Sequence, residues 1–481
     1  MTRSAAPLIA AFLALPAPAA PPESRPGADF ALVGRDDARR VRLVIELDGK
    51  PAEGVWAAGF AALVAFFDRD GNGHLDPAEA ARLPAPAALR QVVWGHVAPT
   101  PGGGPAWGDL DTDSDGKVTR DEVAAFYRPR GFGGAVFVSA RTAVPQKLSD
   151  ALRVKLDADR DGKLTEAELL AAPKALAPLD ANADELVSAA ELVPGLRYPG
   201  ATPALVTEPV AAAAPDPDGK RPSLLPLLAA AKGEPAEVWT ARLGTRAAGT
   251  PVLERGAVAG DGFTSGGPRE RWEVRAEPAA RAADEVAAAA KSARRTFIES
   301  DADGDGRLDG VELEKPAALG LKFLLPFADR DGDARLARAE LDGWLDLQAG
   351  LARGAVVVGV TDLGAGLFEL LDADRDGALA PREVRSAAAR VRAAGALKDG
   401  ALDPTRLPRH AVVTVGRGRP SPELPAPARS GPEWFRAMDR NGDGDVSAAE
   451  FLGGAAAFQR LDADGDGLLS PAEAARAAPK K

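Results

Sequence analysis

Residues 439–450 read D-R-N-G-D-G-D-V-S-A-A-E, and residues 462–473 read D-A-D-G-D-G-L-L-S-P-A-E. Both runs place oxygen-bearing side chains at their first, third and fifth positions: Asp439, Asn441 and Asp443 in one, Asp462, Asp464 and Asp466 in the other. Gly444 and Gly467 hold the sixth position, Val446 and Leu469 the eighth, Glu450 and Glu473 the twelfth. A hard cation of calcium's size takes six to eight oxygens at about 2.3–2.6 Å, and a terminal Glu that offers two of them favours Ca2+ over the smaller Mg2+. Glycine at the sixth position permits the sharp turn. The seventh residue (Asp445, Leu468) offers its backbone carbonyl. Ser at the ninth position, with Glu three residues later, makes a capping box, so each loop ends by starting a helix.

The same spacing recurs seven times upstream. The residues are Asp68, Asp70, Asn72, His74 and Glu79; Asp111, Asp113, Asp115, Lys117 and Glu122; Asp157, Asp159, Asp161, Lys163 and Glu168; Asp180, Asn182, Asp184 and Glu191; Asp301, Asp303, Asp305, Arg307 and Glu312; Asp329, Asp331, Asp333 and Glu340; Asp372, Asp374, Asp376 and Glu383. One such run in an acidic chain reads as a solvated turn, whereas nine that all close on Glu exclude coincidence. The departures are Glu185 and Ala334 at the sixth position and Ala337 and Ala380 at the ninth. A non-glycine residue held left-handed costs roughly 1–2 kcal/mol, and a lost cap about 1 kcal/mol. Weaker binding is therefore expected at the loops beginning at 180, 329 and 372. A tenth stretch, 395–406, keeps Asp399, Gly400, Leu402 and Asp403 but has Gly395, Leu397 and Arg406 at ligand positions. It reads as a degenerate loop that still pairs.

These runs sit inside a repeated unit of short strand, helix, loop, connector and loop. The strand signals are the alternation Val41, Leu43, Ile45, Leu47 and the apolar runs that follow Gly134, Gly354 and His410. A loop alone leaves the backbone of its eighth residue unpaired, and two loops side by side can share an antiparallel bridge there. The expected bridges join Leu75 to Val118, Leu164 to Val187, Leu308 to Leu336, Leu379 to Leu402 and Val446 to Leu469. The expected fold is mainly α, as tandem helix–loop–helix pairs with short β-strands before each pair. The pairs span 38–131, 134–196, 270–350, 354–408 (second loop degenerate) and 430–478, with 197–269 as a linker that has room for a β-hairpin.

The loops resemble those of EF-hand proteins, and the layout resembles exported bacterial proteins with many closely spaced EF-hand pairs. The resemblance covers most of 55–194 and 279–475 and does not reach 197–269. It implies calcium as the bound ion. Connectors of eleven residues, as between Glu168 and Asp180, are shorter than is usual in that family.

Arg3, the apolar run from Ala5 to Leu15 and Ala17-Pro18-Ala19 fit a signal peptide over 1–19, and hence an exported, periplasmic or extracellular protein. With no cysteine, disulfides, thiolate metal sites and cysteine catalysis are excluded. Roughly half of the 70 carboxylates lie at loop positions, so filling nine loops with divalent ions reverses the sign of the −11 net charge. The expected partners are calcium ions and a protein or an anionic surface polymer, with no nucleic acid and no transmembrane segment. His74, His96 and His410 are scattered, and no nucleophile or phosphate-loop motif accompanies them. The chain therefore reads as a non-enzyme whose calcium is a structural ligand of a scaffold. A calcium buffer or sensor is the alternative, and a catalytic part within 197–269 a minor one. Against a sensor with a Met-rich groove stands a methionine count of 2.

Overall fold

A computed structural model describes residues 28–33, 38–94, 97, 104–130, 132–133, 137–142, 145–196, 208–209, 228–230, 235–244, 252–260, 262–267, 269–277, 281–418 and 430–477. The signal-peptide reading and His96 lie outside them. Among the described residues the fold is mixed α/β rather than mainly α. The difference comes from the middle of the chain. Where described, 197–269 is not a linker: Glu237–Leu243, Val252–Arg255, Val258–Gly260 and Gly262–Gly267 are strands of two large sheets.

One sheet runs Val258–Gly260, Val252–Arg255, Glu237–Leu243, Ala38–Leu47, Ala28–Val33, Leu228–Ala230, with the short Lys50–Pro51 on Ala38–Leu47. The other runs Gly262–Gly267, Glu270–Ala276, Arg409–Gly416, Val357–Gly364, Phe137–Thr142, Glu208–Pro209. Their facing sides share one core that includes Leu43, Ile45, Trp239, Trp272, Val358 and Val413. Within it Trp239 meets Phe263 edge-on at 5.2 Å. The alternation at Val41, Leu43, Ile45 and Leu47 turns all four side chains into this core. Val357–Gly364 and Arg409–Gly416 lie in the middle of their sheet and are buried along almost their whole length. That is why they read as continuous apolar runs rather than as alternations.

The first four repeats thus give their leading strands to this sandwich and hang their loops outside. The first and third repeats share a single helical core. The helices Ala52–Phe67, Arg281–Ser300 and Arg338–Ala352 build it. Trp344 lies at its centre, stacked on Phe327 at 5.5 Å and edge-on to Phe66 at 5.8 Å, and its indole N–H donates to Val97 O at 2.9 Å. The second and fourth repeats form another core around Leu152, Leu176, Phe368 and Val391. Residues 433–477 hold a small core of their own: Phe435, Val446, Phe458, Leu469 and Ala474. Among the described residues no helix is long and apolar enough to cross a membrane.

Candidate metal centre

Each acidic loop leaves a helix and folds back on its first carboxylate. In the loop at 68, Asp68 Oδ1 accepts from Gly71 N at 2.7 Å and Asn72 N at 3.1 Å, and Oδ2 accepts from Gly73 N at 2.8 Å. The same bond from the sixth residue to the first recurs at Glu185–Asp180 (2.9 Å), Ala334–Asp329 (3.2 Å) and Gly467–Asp462 (2.9 Å). The twelfth residue then straps the loop. Glu122 Oε1 accepts from Thr112 N at 2.9 Å and its Oε2 from Thr119 N at 2.9 Å, joining the second and ninth positions. Glu191, Glu340, Glu450 and Glu473 make the same two contacts. Both halves of the capping box are present at Asp76/Glu79, Thr119/Glu122, Thr165/Glu168 and Ser188/Glu191. At Ala337 and Ala380 only one half remains, the backbone N–H donating to Oε2 of Glu340 (2.9 Å) and of Glu383 (3.1 Å).

The left-handed turn falls at two positions of each loop. At the sixth, Glu185 (φ 69°) and Ala334 (φ 62°) adopt the conformation that glycine takes in the other loops. At the fourth, Ser114, Arg160, Ala183 and Arg375 are left-handed as well. Sequence reading missed this second position, because a mixture of Gly, Ser, Ala and Arg there carries no compositional signal.

The carboxylates converge. In Asp68, Asp70 and Glu79 one oxygen from each lies within 4.8 Å of the others, and so it is in Asp111, Asp113 and Glu122, in Asp157, Asp159 and Glu168, in Asp301, Asp303 and Glu312, and in Asp329, Asp331 and Asp333. Two oxygens bound to one calcium at about 2.4 Å each can stand no further apart than that, so an all-oxygen set at this spacing fits the ion. The seventh residues (His74, Lys117, Lys163, Arg307, Leu468) fit the carbonyl role. The N–H of His74, Lys117 and Lys163 donates back to the fifth residue at 3.0, 2.8 and 2.7 Å.

Residues 433–452 and 455–473 match the EF-hand family. The pair at 439 and 462 is therefore a pair of EF-hand motifs, and calcium is the ion such motifs take. No curated protein and no solved structure matches the chain.

Three of the expected bridges form: Leu75 with Val118, Leu308 with Leu336, and Val446 with Leu469. Two do not. Val187 bridges Leu379 rather than Leu164, and Leu402 donates its N–H to Leu164 O at 2.8 Å instead of meeting Leu379. The second and fourth repeats have exchanged partners. The sheet explains the exchange: Phe137–Thr142 and Val357–Gly364 lie side by side and parallel, so the helices that follow them also run together. Leu367 N donates to Ser149 Oγ at 2.8 Å where those helices meet. The degenerate stretch is a β-hairpin, Leu397–Lys398 against Ala401–Leu402, turning through Asp399 (φ 52°) and Gly400 (φ 79°). Two left-handed residues of the Asp-Gly type are what a tight hairpin turn asks for.

Electrostatics divide the loops into two groups. At Asp68, Glu122, Glu191 and Glu473 burial pushes the carboxyl pKa up, but backbone N–H donors outweigh it and hold the groups below their ordinary range. In the loops at 372 and 439 burial wins. Glu383 is raised to about 7 and Asp376 to about 6, by burial and then by Asp374. Asp443 is raised to about 7 by burial, with Asp445 and Glu450 adding to it. Asp372 is fully buried and raised well above its ordinary value, by burial and then by Glu383. Arg375, the fourth residue of that loop, is 3% exposed and turns under it, donating to the carbonyls of Glu369 and Asp372 and meeting His410 Nδ1. His410 is therefore a buried group of the sheet facing an arginine, lowered to about 2 by burial and then by Arg375 and Arg271. Sequence reading had placed neither residue near the other.

Proposed function

We propose that this chain is an exported calcium-binding scaffold in which about nine loops take up ions, and calcium serves mainly to hold the fold together. The observation that carries the reading is the exchanged pairing. Val187 and Leu379 are far apart in sequence, yet their loops share one bridge, and an ion in each fixes the joint between two repeats that share one core. Without ions each loop gathers several carboxylates whose mutual repulsion works against the closed turn. The converging triads at 68, 111, 157, 301 and 329 support extending the calcium reading beyond the matched pair. The N-terminal signal pattern supports export, into surroundings where modules of this kind work at about 10⁻⁴–10⁻³ M calcium. No catalytic role belongs to the reading, since loop geometry already accounts for the carboxylate groupings.

A calorimetric calcium titration of the mature chain tests the ion count. We expect a stoichiometry near nine, with the weakest sites removed by Asp-to-Asn changes at 180, 329 and 372. A stoichiometry of two would confine calcium to the matched C-terminal pair and overturn the scaffold reading.

A further inference from the structure

The C-terminal pair is held against the rest of the molecule by arginines that reach its own loops. Arg382, on the helix Pro381–Arg385 that leaves the loop at 372, donates from Nε to Asp445 Oδ2 at 2.6 Å and from Nη2 to Asp445 Oδ1 at 3.0 Å. Its Nη1 lies 2.9 Å from Asp466 Oδ2. Arg385, on the same helix, donates to the carbonyl of Asp466. Asp466 is the fifth residue of the loop at 462, one of the positions that would hold the ion, and Asp445 is the seventh residue of the loop at 439. Apolar packing contributes little to this docking. The core of 433–477 is a cluster separate from the core of its neighbour, and a cleft of about 480 Å³ remains between the two, lined by Leu176, Val187, Leu379, Val384 and Leu468. The other polar contact described across it, Asn441 Nδ2 to Asp184 O at 3.0 Å, uses only an amide hydrogen and is compatible with an ion in the loop at 439.

The same device operates inside another pair. Arg307 meets Asp333, and Arg335 lies 3.9 Å from Asp305, so each seventh-position arginine reaches the fifth-position carboxylate of the partner loop. Between 382 and 466 the arginine instead comes from a different unit.

We propose that Arg382 and Arg385 form a calcium-sensitive latch: they dock the C-terminal EF-hand pair onto the 180/372 pair when its loops are empty, and calcium in the loop at 462 loosens that docking. The inference rests on the calcium reading given above. A guanidinium and a divalent cation then compete for one carboxylate, and both are cations in a confined space. Linkage makes the competition reciprocal: the latch lowers the affinity of the loop at 462 by the factor by which calcium weakens docking. In the body of the molecule calcium tightens the structure, whereas at this joint it frees a unit.

The absence of cysteine allows two labels to be placed without background. Leu170, 64% exposed, and the exposed Gln459 stand on opposite sides of the joint. In the full-length chain carrying Leu170→Cys and Gln459→Cys with spin labels, we expect one narrow distance distribution in chelator and a broader, longer one in calcium. With Arg382→Gln and Arg385→Gln added, the distribution should be broad in both conditions, and the loop at 462 should bind calcium about fivefold more tightly or better, the lower end of typical coupling. Circular dichroism of that variant confirms that it is folded. A distribution unchanged by calcium, in a sample whose calorimetry shows ion uptake, overturns the latch and leaves the calcium reading standing. Absence of uptake overturns both.

Discussion

At the scale of single residues, the loops show that carboxylate spacing and backbone conformation are separate requirements. Glu185 and Ala334 meet the second without glycine, holding φ at 69° and 62°. Their backbone N–H groups still reach Asp180 and Asp329, so the cost is local strain rather than a lost bond. Ala334→Gly should therefore stabilise the chain by about 0.5–1 kcal/mol, the relief of a left-handed side chain less the added freedom of the unfolded state. It should also tighten calcium at the loop beginning at 329. Denaturant melts in chelator, and calorimetry at that loop, check the two halves of this expectation. The change touches no ligand, so a gain would come from backbone geometry alone. The acidic positions were legible from spacing. The left-handed fourth position was not, because residues as different as Gly71, Ser114 and Arg375 satisfy it.

At the scale of elements, the central facts are the pairing of loops and the two electrostatic classes. A bridge between two eighth residues involves only a Leu or Val on each side, so local sequence cannot choose between one partner and another. The neighbours in the sheet make the choice. One consequence is that the hairpin turn at Asp399-Gly400 supports a loop it does not belong to, since Leu402 donates to Leu164 O and Glu166 N donates to Gly400 O at 3.1 Å. Gly400→Val, which places a β-branched side chain at φ 79°, should weaken calcium binding at the loop beginning at 157 although no ligand is altered. Calorimetry of that variant against the parent chain is the check, and unchanged affinity at 157 would speak against the exchange.

The buried loops make a prediction about pH. Asp376, Glu383 and Asp443 have folded-state pKa values of about 6, 7 and 7, above those of the unfolded chain. Protons thus bind the folded, calcium-free protein more tightly than the unfolded one. The stabilisation is complete below about pH 4 and is lost as pH rises through 6 to 7. Glu122, Glu191 and Glu473, held below their ordinary values, have the opposite sign: their contribution is present above about pH 4 and lost as pH falls. Calcium-free protein should accordingly lose stability between pH 5 and pH 8, and calcium binding should release protons across that window. Denaturant melts at the two pH values test the first part, and calorimetry in buffers of different ionisation enthalpy tests the second.

At the scale of the whole molecule, the sandwich is the part that sequence reading under-weighted. Its central strands were visible as Val41 to Leu47 and as the runs after Gly354 and His410, yet they read as isolated preludes to each loop pair. Their assembly depends on long-range parallel registers, such as Leu43 beside Trp239 and Trp272 beside Ala411, which leave no local mark. Edge pieces as short as Leu228–Ala230 carry even less signal. The packing of the five repeated units was consequently not legible. They are two merged helical clusters around a shared sheet core, with one outlying C-terminal pair. This arrangement sharpens the structural view of calcium, because ions in the exchanged loops would join two repeats that are distant in sequence and share one helical core. The most direct measurement is thermal unfolding of the chain by circular dichroism, in millimolar calcium and after chelation at the same pH. The account predicts a clear loss of helix signal and a much lower melting temperature without calcium, and identical spectra and melting temperatures would contradict it.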